Sequence, residues 1–229
     1  MEVKVLSESG NTVKLLLKGM DHSFVNALRR QIMSGIPVLA VEDVHIYENN
    51  SVMLDEMLAH RLGLIPLKMD SKRYKEGDKV KLVLEKEGPG MVYSRDVKST
   101  DPKIEVAETT IPIAKLSEGQ KIKLEMDALV GTGKQHSKWQ PAIAAYTEMP
   151  LVKGEKHRPS KSEILETVVD DLHRDVLIEK GQKVEYDPAT FVFMVESHGN
   201  LEPKELFFAA AEGLKGKLEE LRKELKNLS

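Results

Sequence analysis

Few residues in this chain of 229 could do chemistry, and they are badly spaced for it. There is no cysteine, which excludes disulfides, thiolate zinc sites, iron–sulfur clusters and a thiol nucleophile. The seven histidines, His22, His45, His60, His136, His157, His173 and His198, include no pair at metal-binding spacing and no His-Glu-x-x-His. Each is expected as a surface or packed side chain. Val130-Gly-Thr-Gly-Lys-Gln135 looks like a phosphate loop but lacks its frame, and Trp139 and Pro141 follow where a helix would have to begin. Asp170, Asp171 and Asp175 share a predicted helix and read as a solvated face. No serine sits in a nucleophile elbow. The isolated chain is therefore expected not to be an enzyme and to carry no cofactor.

Two stretches are denser than structure alone requires. One is Asn26-Ala-Leu-Arg-Arg30, followed by Ile36-Pro-Val-Leu-Ala-Val41. Paired arginines there could grip carboxylates or carbonyl oxygens of another protein through bidentate hydrogen bonds. The other runs from Asp55 to Leu67, where His60 and Arg61 end a helix and complement its dipole.

The elements that would position these residues are mixed. Residues 3–6 and 12–18 read as a hairpin about Gly10. Ser23 should cap a helix over Phe24–Ser34, with Phe24, Leu28 and Ile32 on one apolar stripe. A strand is expected over Val38–Tyr47, and a helix over Val52–Leu62 capped by Ser51 and stopped at Gly63. Residues 79–86 alternate strictly, Gly88-Pro-Gly90 turns, and short strands follow near 91–97, 103–107 and 121–130. Ser160 and Glu163 form a capping box before an amphipathic stretch reaching Asp175. Phe191–Glu196 reads as a buried strand, and Pro203 opens a last helix running nearly to the end.

That helix carries Phe207, Ala211, Leu214, Leu218, Leu221, Leu225 and Leu228 at alternating spacings of four and three. Such a narrow leucine seam wants a helical partner. With Phe24, Leu28 and Ile32 of the first helix it could build a four-helix dimer interface. The net charge of −3 argues against a dedicated nucleic-acid binder. No window is apolar enough for a signal peptide or membrane span, so a soluble cytoplasmic protein is expected.

Four ordered blocks carry a family resemblance: the Asn26–Arg30 helix, the Asp55–Leu67 stretch, Gly131-Thr-Gly-Lys-Gln-His-Ser-Lys-Trp-Gln-Pro141, and Phe191-Val-Phe-Met-Val-Glu-Ser-His-Gly-Asn-Leu201. Together they resemble the α-type subunits of multisubunit RNA polymerases. These comprise the bacterial alpha N-terminal region, the third-largest subunit of eukaryotic polymerase II and the archaeal D-type subunit. The compact length favours the archaeal type. The resemblance implies an α+β fold with a discontinuous dimerisation domain (residues 1–40 and 180–229) and an inserted β-rich domain (41–179). It implies a non-catalytic scaffold that pairs with a smaller α-like subunit, L. The pair would bind small subunits N and P and the second-largest subunit, touching DNA only through the complex. Docking would then fall to Asn26, Arg29, Arg30, His60, Arg61, Lys134, His136, Lys138 and Trp139. Many archaeal relatives carry an iron–sulfur segment after the position of Pro150, and the eukaryotic one has a zinc loop. Without cysteine neither carries over, and 151–179 reads as a reduced remnant.

Two other functions compete. An enzyme using the Gly131–Lys134 loop would require nucleotide binding by the isolated chain. A homodimeric nucleic-acid-binding module would require salt-sensitive DNA binding. The cysteine count yields a direct expectation. Elemental analysis of chelator-washed protein should find neither iron nor zinc near one per chain, and finding either would reveal a histidine–carboxylate site.

Overall fold

The computed structural model describes residues 1–70, 73–75, 77–152 and 184–228. The expected hairpin is present: β1 (Glu2–Ser9) pairs antiparallel with β2 (Thr12–Lys18). Gly10 turns between them at a φ of 53°, which an L side chain rarely adopts. On its other side β2 pairs with β12 (Val184–Ser197), and β12 with β11 (Ala142–Val152), giving the order β1-β2-β12-β11.

The β2–β12 register sets Leu17 opposite Phe191, Leu15 opposite Phe193 and Val13 opposite Val195. All six are buried, and the period of two places them on one face. Onto that face pack α1 (His22–Ser34) and α3 (Pro203–Asn227). His22 sits edge-on to Phe191 at 6.1 Å and Phe207 edge-on to Phe193 at 5.4 Å. Leu16 and Val192 alternate to the other face and are buried with Leu6 and Met149. β2 is thus apolar on both sides, which explains its unbroken Leu15-Leu-Leu17 run.

A second unit comprises Ser34–Pro141 with the short return His198–Glu202. Its main sheet is antiparallel, in the order β3 (Pro37–Asn49), β10 (Lys121–Thr132), β5 (Lys79–Glu87), β7 (Lys98–Ser99). Alternation decides its inner face: Val80, Leu82 and Leu84 of β5, and Ile122, Leu124, Met126, Ala128 and Val130 of β10, are buried. α2 (Asp55–Gly63) packs against β3, burying Leu58 and Leu62. β4 (Leu67–Lys68) pairs with β8 (Glu105–Val106), and β6 (Gly90–Tyr93) with β9 (Pro112–Leu116). The return is tied in by Asn200, whose amide donates to Leu67 O at 3.0 Å and whose carbonyl accepts from Met69 N at 3.3 Å.

The α+β class is as expected, and several details differ. The packing boundary falls at 33/34 and 141/142 rather than at 40/41 and 179/180. Val38–Val41 pair with β10, and β11 pairs with β12, so each joins its hydrogen-bonding partner. Asp21, not Ser23, caps α1: its Oδ1 accepts from Phe24 N at 2.8 Å and from Ser23 Oγ at 2.7 Å. α2 begins at Asp55 because Ser51 is engaged in a turn, donating to Asn49 Oδ1 at 2.7 Å. β9 and β11 are strands that periodicity did not reveal. The expected Ser160–Asp175 helix lies outside the described residues.

One ion pair ties β5 to the turn that follows β6. Lys86 Nζ donates to both carboxylate oxygens of Asp96 at 2.8 and 2.7 Å, and Tyr93 N donates to Oδ2 at 2.8 Å. Burial pushes the Asp96 carboxyl up, but Lys86 and the Tyr93 amide outweigh it and hold the carboxyl below its ordinary value. A depressed carboxylate contributes stability above its ordinary range and loses it as pH falls through the folded value. Asp96→Asn should therefore cost most stability at neutral pH. In urea titrations its deficit against the parent should shrink as pH drops below the usual carboxylate range. A deficit that stays constant with pH would refute the account.

Candidate functional site

α1 separates its residues by helical angle. Val25, Leu28, Gln31 and Ile32 point inward and are buried. Leu28 and Ile32, expected at a dimer interface, instead fill the chain's own core, because Val25, Leu28, Gln31 and Ile32, at i, i+3, i+6 and i+7, form the inward stripe. Phe24 stands at the margin of that stripe, 45% exposed. Asn26 and Arg29 form one polar group: Asn26 Oδ1 accepts from Arg29 Nε at 3.3 Å and from Nη2 at 3.2 Å. Arg30 is exposed beside them.

α3 changes role along its length. Pro203, Leu206 and Ala210 are buried, and Phe207 contacts Phe193. Ala211 is exposed and Leu214 half-buried. Beyond Lys217 the same stripe leaves the core: Leu218, Leu221, Leu225 and Leu228 are 67, 56, 57 and 84% exposed. At about 1.5 Å per residue these four leucines span some 15 Å. They present an apolar edge that nothing among the described residues covers.

In the second unit, two of the quoted sequence blocks converge. Val41, Glu42 and Val44 of β3, Ala59 and His60 of α2, Leu64, His136 and Lys138 line a groove of about 300 Å³. His136 Nδ1 accepts from Lys138 N at 3.1 Å. Lys138 is held firmly: Nζ donates to Val41 O at 2.9 Å, ion-pairs with Glu42, and lies 4.5 Å above the Trp139 ring centre. It builds the groove wall. Trp139, expected on a docking surface, is instead buried, with Nε1 donating to Leu129 O at 3.0 Å. Arg61 turns away from the groove and donates to Pro112 O. Lys134 is exposed outside the groove, its backbone amide bound to Ser34 O at 3.1 Å.

The Gly131 block is therefore a seat for a tryptophan, not a phosphate cradle. A Cβ on Gly131 would lie 2.5 Å from the Trp139 ring and 2.9 Å from Gln135 Oε1. Sequence reasoning missed Gln31, Gly213 and Lys217, which join α1 to α3, and Asn200, which anchors the return. Gly213 left one signal: a glycine within a helix costs about 1 kcal/mol relative to alanine and asks for a reason. Among the described residues no group of three or more histidine, cysteine or acidic side chains could hold a metal ion. No described helix is long and apolar enough to cross a membrane.

An antiparallel sheet under two helices, interrupted by a β-rich unit, defines a class. The family model described as the RNA polymerase Rpb3/RpoA insert domain matches residues 44–147, nearly all within the second unit. Across its full length the chain is 35% identical to DNA-directed RNA polymerase subunit Rpo3 of Pyrococcus furiosus, covering 98% of that protein. Identity to the Rpo3 subunit of Thermococcus kodakarensis is also 35%, covering 99% of it. A further Rpo3 subunit, from Methanocaldococcus jannaschii, is 53% identical over 127 residues, 56% of this chain and 64% of that one. The chain belongs to the α-type RNA polymerase subunit family, in its archaeal Rpo3 branch.

The tryptophan seat gives a test of the local architecture. Gly131→Ala should cost about 1–3 kcal/mol, the usual penalty for overpacking a filled site. Urea unfolding followed by the fluorescence of the single tryptophan would measure it directly. Unchanged stability would mean that the ring is not seated on Gly131.

Proposed function

We propose that this chain is a non-catalytic assembly platform of a cytoplasmic archaeal-type RNA polymerase. It pairs with a smaller α-like subunit, L, and the pair binds small subunits N and P and the second-largest subunit. DNA is reached only through the complex. The observation that carries this reading is the leucine edge of α3 from Leu218 to Leu228, left uncovered past the last contact with its own core. Burying each such leucine is worth about 1.5–3 kcal/mol, so the edge favours a helical partner over water. The half-buried Leu214 continues it toward the core, and Phe24 is a further exposed apolar side chain on α1. The Asn26, Arg29 and Arg30 group on α1 offers guanidinium donors to the large subunit. In the second unit the groove with His60 and His136 on its walls suits a small-subunit segment. Family membership supports the polymerase context. A structural rather than catalytic role is supported by Gly131, which is occupied by the Trp139 ring, and by Lys138, which lies over that ring.

The test is a pull-down with the L partner and the second-largest subunit. Leu218→Glu with Leu221→Glu should abolish pairing with L while sparing the fold, since both side chains lie outside the core. Arg29→Ala with Arg30→Ala should keep the L pair and weaken capture of the large subunit. Full-strength pairing by the leucine variant would sink the proposal.

A further inference from the structure

α1 and α3 touch through one unusual contact. Gln31 of α1 is only 5% exposed, and its side chain lies flat against Gly213 of α3. A Cβ at residue 213 would fall on Gln31 Nε2, well inside van der Waals distance, and 3.3 Å from Cδ. Lys217, one turn further along α3, closes the contact by donating from Nζ to Gln31 Oε1 at 2.6 Å. A second helix glycine, Gly216, faces open space and has no such reason. The glycine thus lets the backbone of α3 approach a buried amide, and the lysine fixes that amide in place. Past Lys217 the helix makes its exit, and every leucine from 218 onward is exposed.

We infer that Gln31 is a positioning residue for subunit pairing: clamped between Gly213 and Lys217, it sets the angle at which α3 presents its leucine edge to the partner. This rests on the reading of α3 as the pairing element. A rigid helix magnifies an error at its pivot. The edge extends about 15 Å beyond the clamp at 1.5 Å per residue. A tilt of about 10° there would carry Leu228 sideways by some 2–3 Å, enough to spoil knob-into-hole packing. An added methyl at 213 forces one of two outcomes: α3 lifts, or the amide leaves Lys217. Either breaks the clamp.

The experiment titrates the full chain with the same organism's smaller α-like subunit and compares dissociation constants. Gly213→Ala and Lys217→Met should each weaken pairing about tenfold. The isolated variants should retain their helix content by circular dichroism. Because both act through Gln31, the double variant should be no weaker than the worse single one, whereas independent structural damage would multiply. Leu218→Glu with Leu221→Glu runs alongside: if it pairs normally, the pairing reading itself fails, whatever the clamp does. If it fails to pair while Gly213→Ala binds within twofold of the parent, or if the two losses multiply, the clamp is overturned. Should Gly213→Ala not fold, Lys217→Met decides alone, and normal pairing by that variant overturns the inference.

Discussion

Everything in the first unit depends on the pairing of β2 with β12. Seven residue pairs join Thr12–Lys18 to Thr190–Glu196, segments more than 170 residues apart in sequence. Those pairs also align the buried rows Val13, Leu15, Leu17 and Phe191, Phe193, Val195 on one face. Without them there is no floor for α1 or α3, and without the floor no α3 angle. The register is strongly fixed, because a slip of one residue would turn Phe191 and Phe193 away from the helices. The buried Leu16 and Val192 on the reverse face punish the same slip.

The two units divide labour in different physical ways. The insert contains its own alternating sheet and seats its tryptophan within itself, which is why its sequence blocks, rich in glycine and basic residues, look like chemistry and are architecture. Lys138 illustrates this. Expected to reach another subunit, it instead has its charge taken up by Glu42, the Val41 carbonyl and an indole face. The first unit instead devotes sequence to a surface: α3 is amphipathic well beyond the point where its own chain can use the apolar side.

How much of this was legible in the sequence follows from the range of each interaction. The hairpin at Gly10, the strict alternation of β5 and the start of α3 at Pro203 are local and could be read directly. The leucine spacing of α3 was equally plain, and only the point at which it leaves the core was not. What escaped depended on distant partners. β11 carries the mild run Ala142-Ile-Ala-Ala-Tyr146, which becomes a strand because β12 lies beside it. Leu28 and Ile32 looked like partner contacts, since a stripe records apolarity and not its destination. Trp139 looked like a surface residue because nothing near it in sequence shows that Leu129 and Gly131 receive it.

The interrupted path of the chain also fixes an order of events during synthesis. β1, β2 and α1 leave the ribosome well before β12, and until it emerges the β1–β2 hairpin has no third strand to pair with. Closing so long a loop from an open chain costs about 4–5 kcal/mol in entropy. The insert meets no such delay, as its strands β3 to β10 are consecutive on the ribosome. Once folded, it replaces some hundred residues of wandering chain with a short fixed span and lowers the entropic barrier to the later closure. The exposed leucine edge of α3 emerges after all of this. A chain broken off before β12 would display a folded insert without the sheet that carries α3.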